Sequence, residues 1–226
     1  MNVSTKSSNN TSSITVVSAG HEDLEGIVSC HEAAFPGEFL TLLGSGFLRT
    51  FYRFYIDDPD GICIVAIDQK NKRVVGLVAG GKPELRAAFI KRHILRFLGT
   101  SFCKFFIHRR VRQRLAEHFV EFLRKIGRKI HLLPSEKYPP APEDPPGTWS
   151  NLLSICTHPD YRGYGVGKML MEAFRIESGR RGYSTMRLSV HNDNHAAIAL
   201  YKKCGWTPIL TTPSGTYFKR SVENKP

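Results

Sequence analysis

The sequence predicts an α+β fold, a central sheet with helices packed on it, and three observations carry that prediction. Two β-rich runs, Ile62-Cys63-Ile64-Val65-Ala66-Ile67 and Val74-Val75-Gly76-Leu77-Val78-Ala79, are joined by the turn-forming Asp68-Gln69-Lys70-Asn71-Lys72 and read as a hairpin. Helical periods precede the hairpin. Beyond it, the apolar run Leu152, Leu153, Ile155 feeds a glycine-rich turn, Arg162-Gly163-Tyr164-Gly165-Val166-Gly167-Lys168, and that turn opens a further helix.

In chain order, Met1 to Ser13 is mostly Ser, Thr and Asn without an apolar stretch, so a disordered tail is expected and a secretory signal is not. Ile14 to Val17 reads as a first strand. His21 to Ala34 reads as a helix whose early acids, Glu22 and Asp23, suit the positive end of its dipole, and Pro36-Gly37 stops it. Glu38 to Tyr55 carries Phe39, Leu42, Leu43, Phe47, Leu48, Phe51 and Phe54 at helical spacing, interrupted by Gly44-Ser45-Gly46. Such a stripe is expected to face a core. After the hairpin, Gly80-Gly81 marks its exit. The segment that follows reads as two amphipathic helices split near Gly99-Thr100-Ser101, the second with Val111, Leu115, Phe119, Phe122 and Ile126 on one face. Six prolines between Pro134 and Gly147 exclude helix and central strand, leaving a stiff surface loop. Trp149 to Thr157 is the strand into the glycine turn, Val166 to Arg181 its helix, Thr185 to Val190 a strand, and Asn194 to Cys204 a short helix stopped by Gly205. A hairpin, Trp206 to Leu210 and Thr216 to Val222, closes the fold.

Composition bounds the functional classes. The chain has 226 residues, 41% hydrophobic and 23% charged, which suits one soluble domain carrying insertions, expected at 14–222 with an insertion at 83–148. No run approaches the roughly 18 apolar residues of a membrane span. The five cysteines (Cys30, Cys63, Cys103, Cys156, Cys204) are scattered and odd in number, which points to a reducing cytoplasm rather than a disulfide frame or a zinc site, and the nine histidines have no ligand spacing; no metal is expected. The net charge of +12 is concentrated: Lys82 to Lys129 holds 14 Lys/Arg against three Glu, so this one segment supplies nearly all the excess.

The glycine turn has the makings of a phosphate cradle, because glycines let the backbone approach a bound group and a helix start offers unpaired N–H groups and a positive dipole end. Its spacing separates the families that use such cradles. A nucleotide-triphosphate loop needs Gly where Arg162 stands and Ser or Thr where Met169 stands, and the dinucleotide fingerprint needs Gly in place of Lys168. Both fail. Arg162, Gly165 and Gly167 instead fit Arg-x-x-Gly-x-Gly. Past the following strand, Asn194, Ala197 and Tyr201, then Gly205 and Trp206, fit Asn-x-x-Ala-x-x-x-Tyr followed by Gly and an aromatic. Together the two motifs resemble the GNAT N-acetyltransferase superfamily, in its bacterial form, most strongly over Asn151 to Trp206.

That resemblance implies an α/β/α sandwich around a twisted mixed sheet, in which the strand at Leu152 to Thr157 and the strand at Met186 to Val190 splay apart to admit the pantetheine arm of acetyl-CoA. It implies that Ile155, Cys156 and Thr157 offer backbone groups to that arm, that Gly163, Tyr164, Gly165, Val166, Gly167 and Lys168 hold the pyrophosphate with Arg162 beside them, and that Asn194 contacts the cofactor. Tyr201 is the implied acid that protonates the departing thiolate. The structural readings are an N-cap for Asn194, compatible with the cofactor role, and a core ring for Tyr201. Some relatives that acetylate protein N-termini carry a glutamate five residues before the motif Asn, where this chain has Ser189. The base is therefore left among Glu32, Glu38, His191 and a water chain, with none assigned.

The acceptor is expected to be a small-molecule primary amine, an amino sugar or nucleotide-linked amino sugar being favoured, with a protein N-terminus or lysine as the alternative. A non-catalytic module binding CoA or an anion is the alternative of another class. The basic insertion of roughly 65 residues either solvates its charge around a packed helical pair, lines the site of an anionic acceptor, or rests on an anionic membrane surface as a peripheral contact. Nucleic acid is disfavoured because no recognition motif accompanies the charge.

Overall fold

A computed structural model describes residues 13–93, 145 and 147–223. The expected tail at 1–12 and most of the basic insertion, with its second helix and proline loop, lie outside the described residues. The elements run β1 (Ile14–Ser18), a 3-10 turn (His21–Asp23), α1 (Leu24–Ala34), α2 (Phe39–Leu43), α3 (Ser45–Asp57), β2 (Gly61–Asp68), β3 (Arg73–Gly81) and α4, whose described part is 85–93. They continue with β4 (Trp149–Thr157), a 3-10 turn (Pro159–Tyr161), α5 (Val166–Arg180), β5 (Thr185–Val190), α6 (His195–Lys203), β6 (Thr207–Thr212) and β7 (Gly215–Ser221).

The strands form one seven-stranded sheet in the order β1-β2-β3-β4-β5-β7-β6, antiparallel throughout except for the parallel pair β4 and β5. The mixed sheet and helical layers are those the sequence predicts. Alternation along β2 divides the core: Ile62, Ile64 and Ala66 join Leu170, Met171 and Phe174 of α5 on one face, whereas Cys63 and Val65 join Ile27 and Val28 of α1 and Leu48 and Phe51 of α3 on the other. A strand buried on both faces reads as a continuous apolar run, which is why β2 and β3 were legible without a polar face.

The helix ends obey local rules. Gly44, at φ 92°, separates α2 from α3, and Gly182 (φ 84°) and Gly205 (φ 79°) follow the ends of α5 and α6 in the left-handed region. The start of the insertion is helical and packs: Leu85 and Phe89 of α4 are buried, and Phe89 stands edge-on to Phe47 and Phe51 at centroid distances of 5.7 and 5.2 Å.

Two departures from regular pairing shape the sheet's middle. β4 pairs with β5 only at Trp149↔Thr185, Ser150↔Met186 and Asn151↔Arg187, then the two strands part. Each is held by its other neighbour: β4 stays on β3 to Thr157↔Gly76, and β5 stays on β7 to Val190↔Thr216. The register of β3 against β4 shifts between Ala79↔Ser154 and Gly80↔Leu152, so Leu153 is an extra residue that bends β4 where the parting begins. The expected splay is thus present. Gly80 permits the close approach at its root, because a Cβ there would stand 2.1 Å from the Asn151 carbonyl oxygen and 3.0 Å from the Phe174 ring. Gly80→Ala is expected to cost about 1–3 kcal/mol through this overpacking, read as a lower urea midpoint; an unchanged midpoint would show that the root of the fork is not tightly set.

Candidate active site

Among the described residues, the fork leaves the β5-facing edge of β4 without a strand partner from Leu152 to Thr157. Of the three residues expected there, Cys156 is buried against the α1/α3 layer, Ile155 packs on the α5 layer, and Thr157 ends the strand half-buried. Edge backbone groups that no strand satisfies are a ready partner for an extended amide-bearing ligand.

The chain then turns through Pro159–Tyr161, capped by the His158 side chain, into the glycine loop. His158 is buried, its Nε2 is 2.6 Å from Arg73 Nη2, and burial, then the Arg73 charge, lower its pKa. Tyr161 donates to Asp68 Oδ2 at 2.8 Å, and Arg162 donates from Nη2 to the Ala34 carbonyl at 3.2 Å. The loop is therefore pinned at one end to the β2–β3 turn and to the end of α1. Gly163 (φ 85°) and Gly165 (φ 78°) take left-handed conformations with open space where a Cβ would project, and Gly165 is the N-cap of α5. Lys168 and Met169 donate their N–H groups to the Gly165 carbonyl. Among the described residues no backbone acceptor is recorded for the N–H groups of 163–167 outside the helix, and the first helical turn offers none within it. Buried Val166 anchors the turn while Gly163, Gly165 and Lys168 are exposed, and Tyr164 is half-buried.

The second motif meets the first across Gly167. A Cβ on Gly167 would press on Leu200 Cδ2 of α6 at 3.2 Å and reach Thr157 Oγ1 at 3.8 Å. Asn194 is the N-cap of α6, its Oδ1 accepting from the Ala197 N–H at 3.1 Å, which leaves its amide NH₂ available. Tyr201 is 7% exposed and packs against Trp206 and Phe218 at 6.2 and 5.9 Å between centroids. Its hydroxyl has no recorded hydrogen-bond partner among the described residues, and burial pushes the phenol up to about 12. Both structural readings of these two residues therefore hold, and both side chains keep a polar atom in reserve.

Glu32 accepts from Ser45 Oγ at 2.7 Å, Glu38 is exposed at the start of α2, and the His191 Nδ1 is 3.1 Å from the Ser214 carbonyl. A group the sequence reading missed lies behind β4. His31 Nδ1 is 2.6 Å from Tyr52 Oη, which is 3.3 Å from Ser154 Oγ. His31 is 2% exposed and Tyr52 fully buried, and among the described residues His31 Nε2 has no partner. Burial pushes the imidazole down to about 4, against a smaller opposing pull from Glu32. The available signal was a titratable residue at a core position of α1, three and four places after Val28 and Ile27.

A depression of about 450 Å³ lined by Glu22, Asp23, Asn71, Lys72 and Arg73 lies at the β2–β3 turn, and its Arg73 is already paired with Asp160 and His158. Among the described residues no group of three or more His, Cys, Asp or Glu is arranged to hold a metal, and no helix is long and apolar enough to cross a membrane.

The described residues thus bring together a fork between parallel strands, a glycine loop at its mouth and a buried tyrosine on the helix that abuts the loop. The sequence profile of the acetyltransferase (GNAT) family matches residues 28–206, and the chain belongs to that family of acyltransferases. The [ribosomal protein bS18]-alanine N-acetyltransferase of Escherichia coli (strain K12) is 40% identical over 57 residues, 25% of this chain and 38% of that protein, so the chain spans well under half the length of this curated relative. The crystal structure of the ribosomal-protein-S18-alanine N-acetyltransferase from Escherichia coli superposes with a TM-score of 0.52 at 16% identity, covering 94% of this chain and 96% of that one. That of the PaiA N-acetyltransferase from Thermoplasma acidophilum in complex with coenzyme A gives 0.52 at 13% identity, covering 92% and 99%. At such identities the structural matches establish the shared fold.

The low pKa of His31 has a stability consequence. The unfolded chain takes up this proton below about 6.5 and the folded chain only near 4, so the unfolded state binds more protons in that window and stability falls as pH falls through it. The effect is about 3 kcal/mol between the two limits. Urea unfolding of the parent and of His31→Gln from pH 7 to 4.5 is expected to show a shallower pH dependence in the variant; parallel curves would contradict the assignment.

Proposed function

We propose that the chain is an acetyl-CoA-dependent N-acetyltransferase that acetylates a primary amine, by direct attack with donor and acceptor bound together. The observation that supports this reading most is the junction of fork and cradle at Gly167, which puts the free β4 edge, the unpaired loop N–H groups and the α6 helix side by side. Bound acetyl-CoA supplies an acetyl group activated as a thioester. The loop N–H groups at 163–167, the start of α5 and Lys168 would hold its pyrophosphate, with Arg162 anchoring the loop rather than standing free. The backbone of Ile155, Cys156 and Thr157 would take the pantetheine amides, and the Asn194 NH₂ the same arm from the far side. These residues suit such a ligand because alternate residues of the 155–157 edge turn their backbone groups to the open side of β4, and Gly163 and Gly165 leave room where a Cβ would project.

Tyr201 would act as the acid. With a pKa pushed up to about 12 it stays protonated at any physiological pH, so its hydroxyl is always a donor to developing charge on the leaving sulfur. For the acceptor, the first reading is a small-molecule amine, an amino sugar or nucleotide-linked amino sugar, Ser189 standing where some relatives acting on protein N-termini carry a glutamate. A protein α-amine is the second reading, favoured by the named activity of the bS18-alanine N-acetyltransferase relatives. The scattered free cysteines suit a reducing cytoplasm.

Saturating acetyl-CoA is expected to raise the melting temperature by several degrees, as a ligand at about 100 times its Kd adds about 2.7 kcal/mol; a melting temperature indifferent to acetyl-CoA would sink the proposal. Tyr201→Phe is expected to keep that shift and lower amine-dependent thiol release about 100-fold, whereas undiminished release would remove Tyr201 from its role. A thiol-release screen of amino sugars, nucleotide-linked amino sugars and Ala-initiated peptides separates the acceptor readings.

A further inference from the structure

The cradle and α5 occupy one face of the sheet, and the open fork is a window to the other face, where α1 and α3 lie. On the proposed reading of function, on which this inference rests, a donor held on the α5 side must be met by an amine arriving from the α1/α3 side. Ser154 stands there. It is the first β4 residue past the extra residue Leu153, one place before Ile155, and its hydroxyl turns to Tyr52 of α3, not to α5.

We propose that Ser154 is the acceptor-amine contact of the active site, with Tyr52 and His31 as positioning residues that fix the direction of its hydroxyl. The three side chains come from three elements, β4, α3 and α1, and run from half-buried Ser154 through fully buried Tyr52 to His31. A buried ring nitrogen without a partner costs free energy, and an apolar residue at position 31 would avoid that cost while filling the same layer of Ile27, Val28 and Leu48. The chain has one arrangement that suits an amine. With the proton of His31 on Nε2, Nδ1 accepts from the Tyr52 hydroxyl, Tyr52 accepts from the Ser154 hydroxyl, and the Ser154 oxygen keeps a lone pair for an incoming N–H. No member of that arrangement carries a charge. It orients a neutral amine, whose nitrogen lone pair stays free to attack, and offers nothing to balance an ammonium. The arrangement thus supplies a neutral polar group at the fork, on the face opposite the cradle.

Two measurements on the full-length protein test this. The first needs no acceptor: ¹⁵N NMR of the His31 imidazole at neutral pH is expected to show one neutral tautomer protonated at Nε2, with Nδ1 shifted by Ser154→Ala and restored by Ser154→Thr. A His31 protonated at Nδ1, or insensitive to Ser154→Ala, overturns the proposal. The second uses acetyl-CoA with glucosamine and with an Ala-initiated peptide as probe amines. For whichever is acetylated, Ser154→Ala should lower kcat/KM about tenfold or more, Tyr52→Phe should fall between it and the parent, and Ser154→Thr should stay near the parent. All three variants should keep the melting shift with acetyl-CoA. Ser154→Ala within twofold of the parent, or Ser154→Thr as impaired as Ser154→Ala, overturns the contact role. Loss of the acetyl-CoA shift in the parent itself counts against the functional reading instead, and the NMR result then decides the chain alone.

Discussion

Between Asn151 and Leu152 the β4 strand gives up β5 as a neighbour while keeping β3, and most of the chemistry available to this chain depends on that loss. A sheet normally satisfies its own backbone groups, so an interior strand with an open edge is stable only where something else fixes the geometry. Here β5 is held away by six paired residues on β7, and Leu153 bends β4 by standing outside the register. The parting is built into pairing on both outer sides. It does not depend on the glycine loop, which lies at the mouth of the opening and takes its position from it.

The loop and the α6 helix are local devices set on that frame. Gly163 and Gly165 turn the chain through left-handed conformations, Val166 drops into the core, and the first turn of α5 is left with N–H groups facing outward. Asn194 caps α6 so that Leu200 abuts Gly167 and Tyr201 sits between Trp206 and Phe218. Tertiary contacts then aim the loop: Tyr161 ties it to Asp68, Arg162 to Ala34. Burial does the electrostatic work on both sides of the sheet, raising Tyr201 and lowering His31, so both groups stay neutral at the pH at which an amine nucleophile is available.

What could be read in the sequence follows the range of the interaction responsible. Glycine spacing, the Asn194 cap, the stops at Gly44, Gly182 and Gly205 and the hairpin at Asp68 to Lys72 are decided within a few residues, and each is visible as a short pattern. The β2 and β3 strands were legible because they are apolar on both faces, whereas the α/β/α layering was what the family resemblance implied. Contacts between distant residues were not: Arg162 and Ala34 are 128 positions apart, Tyr52 and Ser154 are 102, and no local pattern pairs them. Even so, Leu48, Phe51, Tyr52 and Tyr55 fall on one helical face at three- and four-residue intervals, and His31 falls on the core face of α1. A histidine and a tyrosine in two core stripes were a cue that a polar contact joins the helices. The stripe read from Phe39 to Phe54 caught Leu48 and Phe51 of that face and passed over Tyr52 and Tyr55.

On the proposed function, the open β4 edge and the amides at 163–167 form one donor-binding surface. Hydrogen–deuterium exchange with and without saturating acetyl-CoA addresses it directly. Slowed exchange is expected at 163–168 together with 155–157, with no change in β2 or in the β6–β7 hairpin. Unchanged exchange at 163–168 in the presence of a bound donor would contradict it.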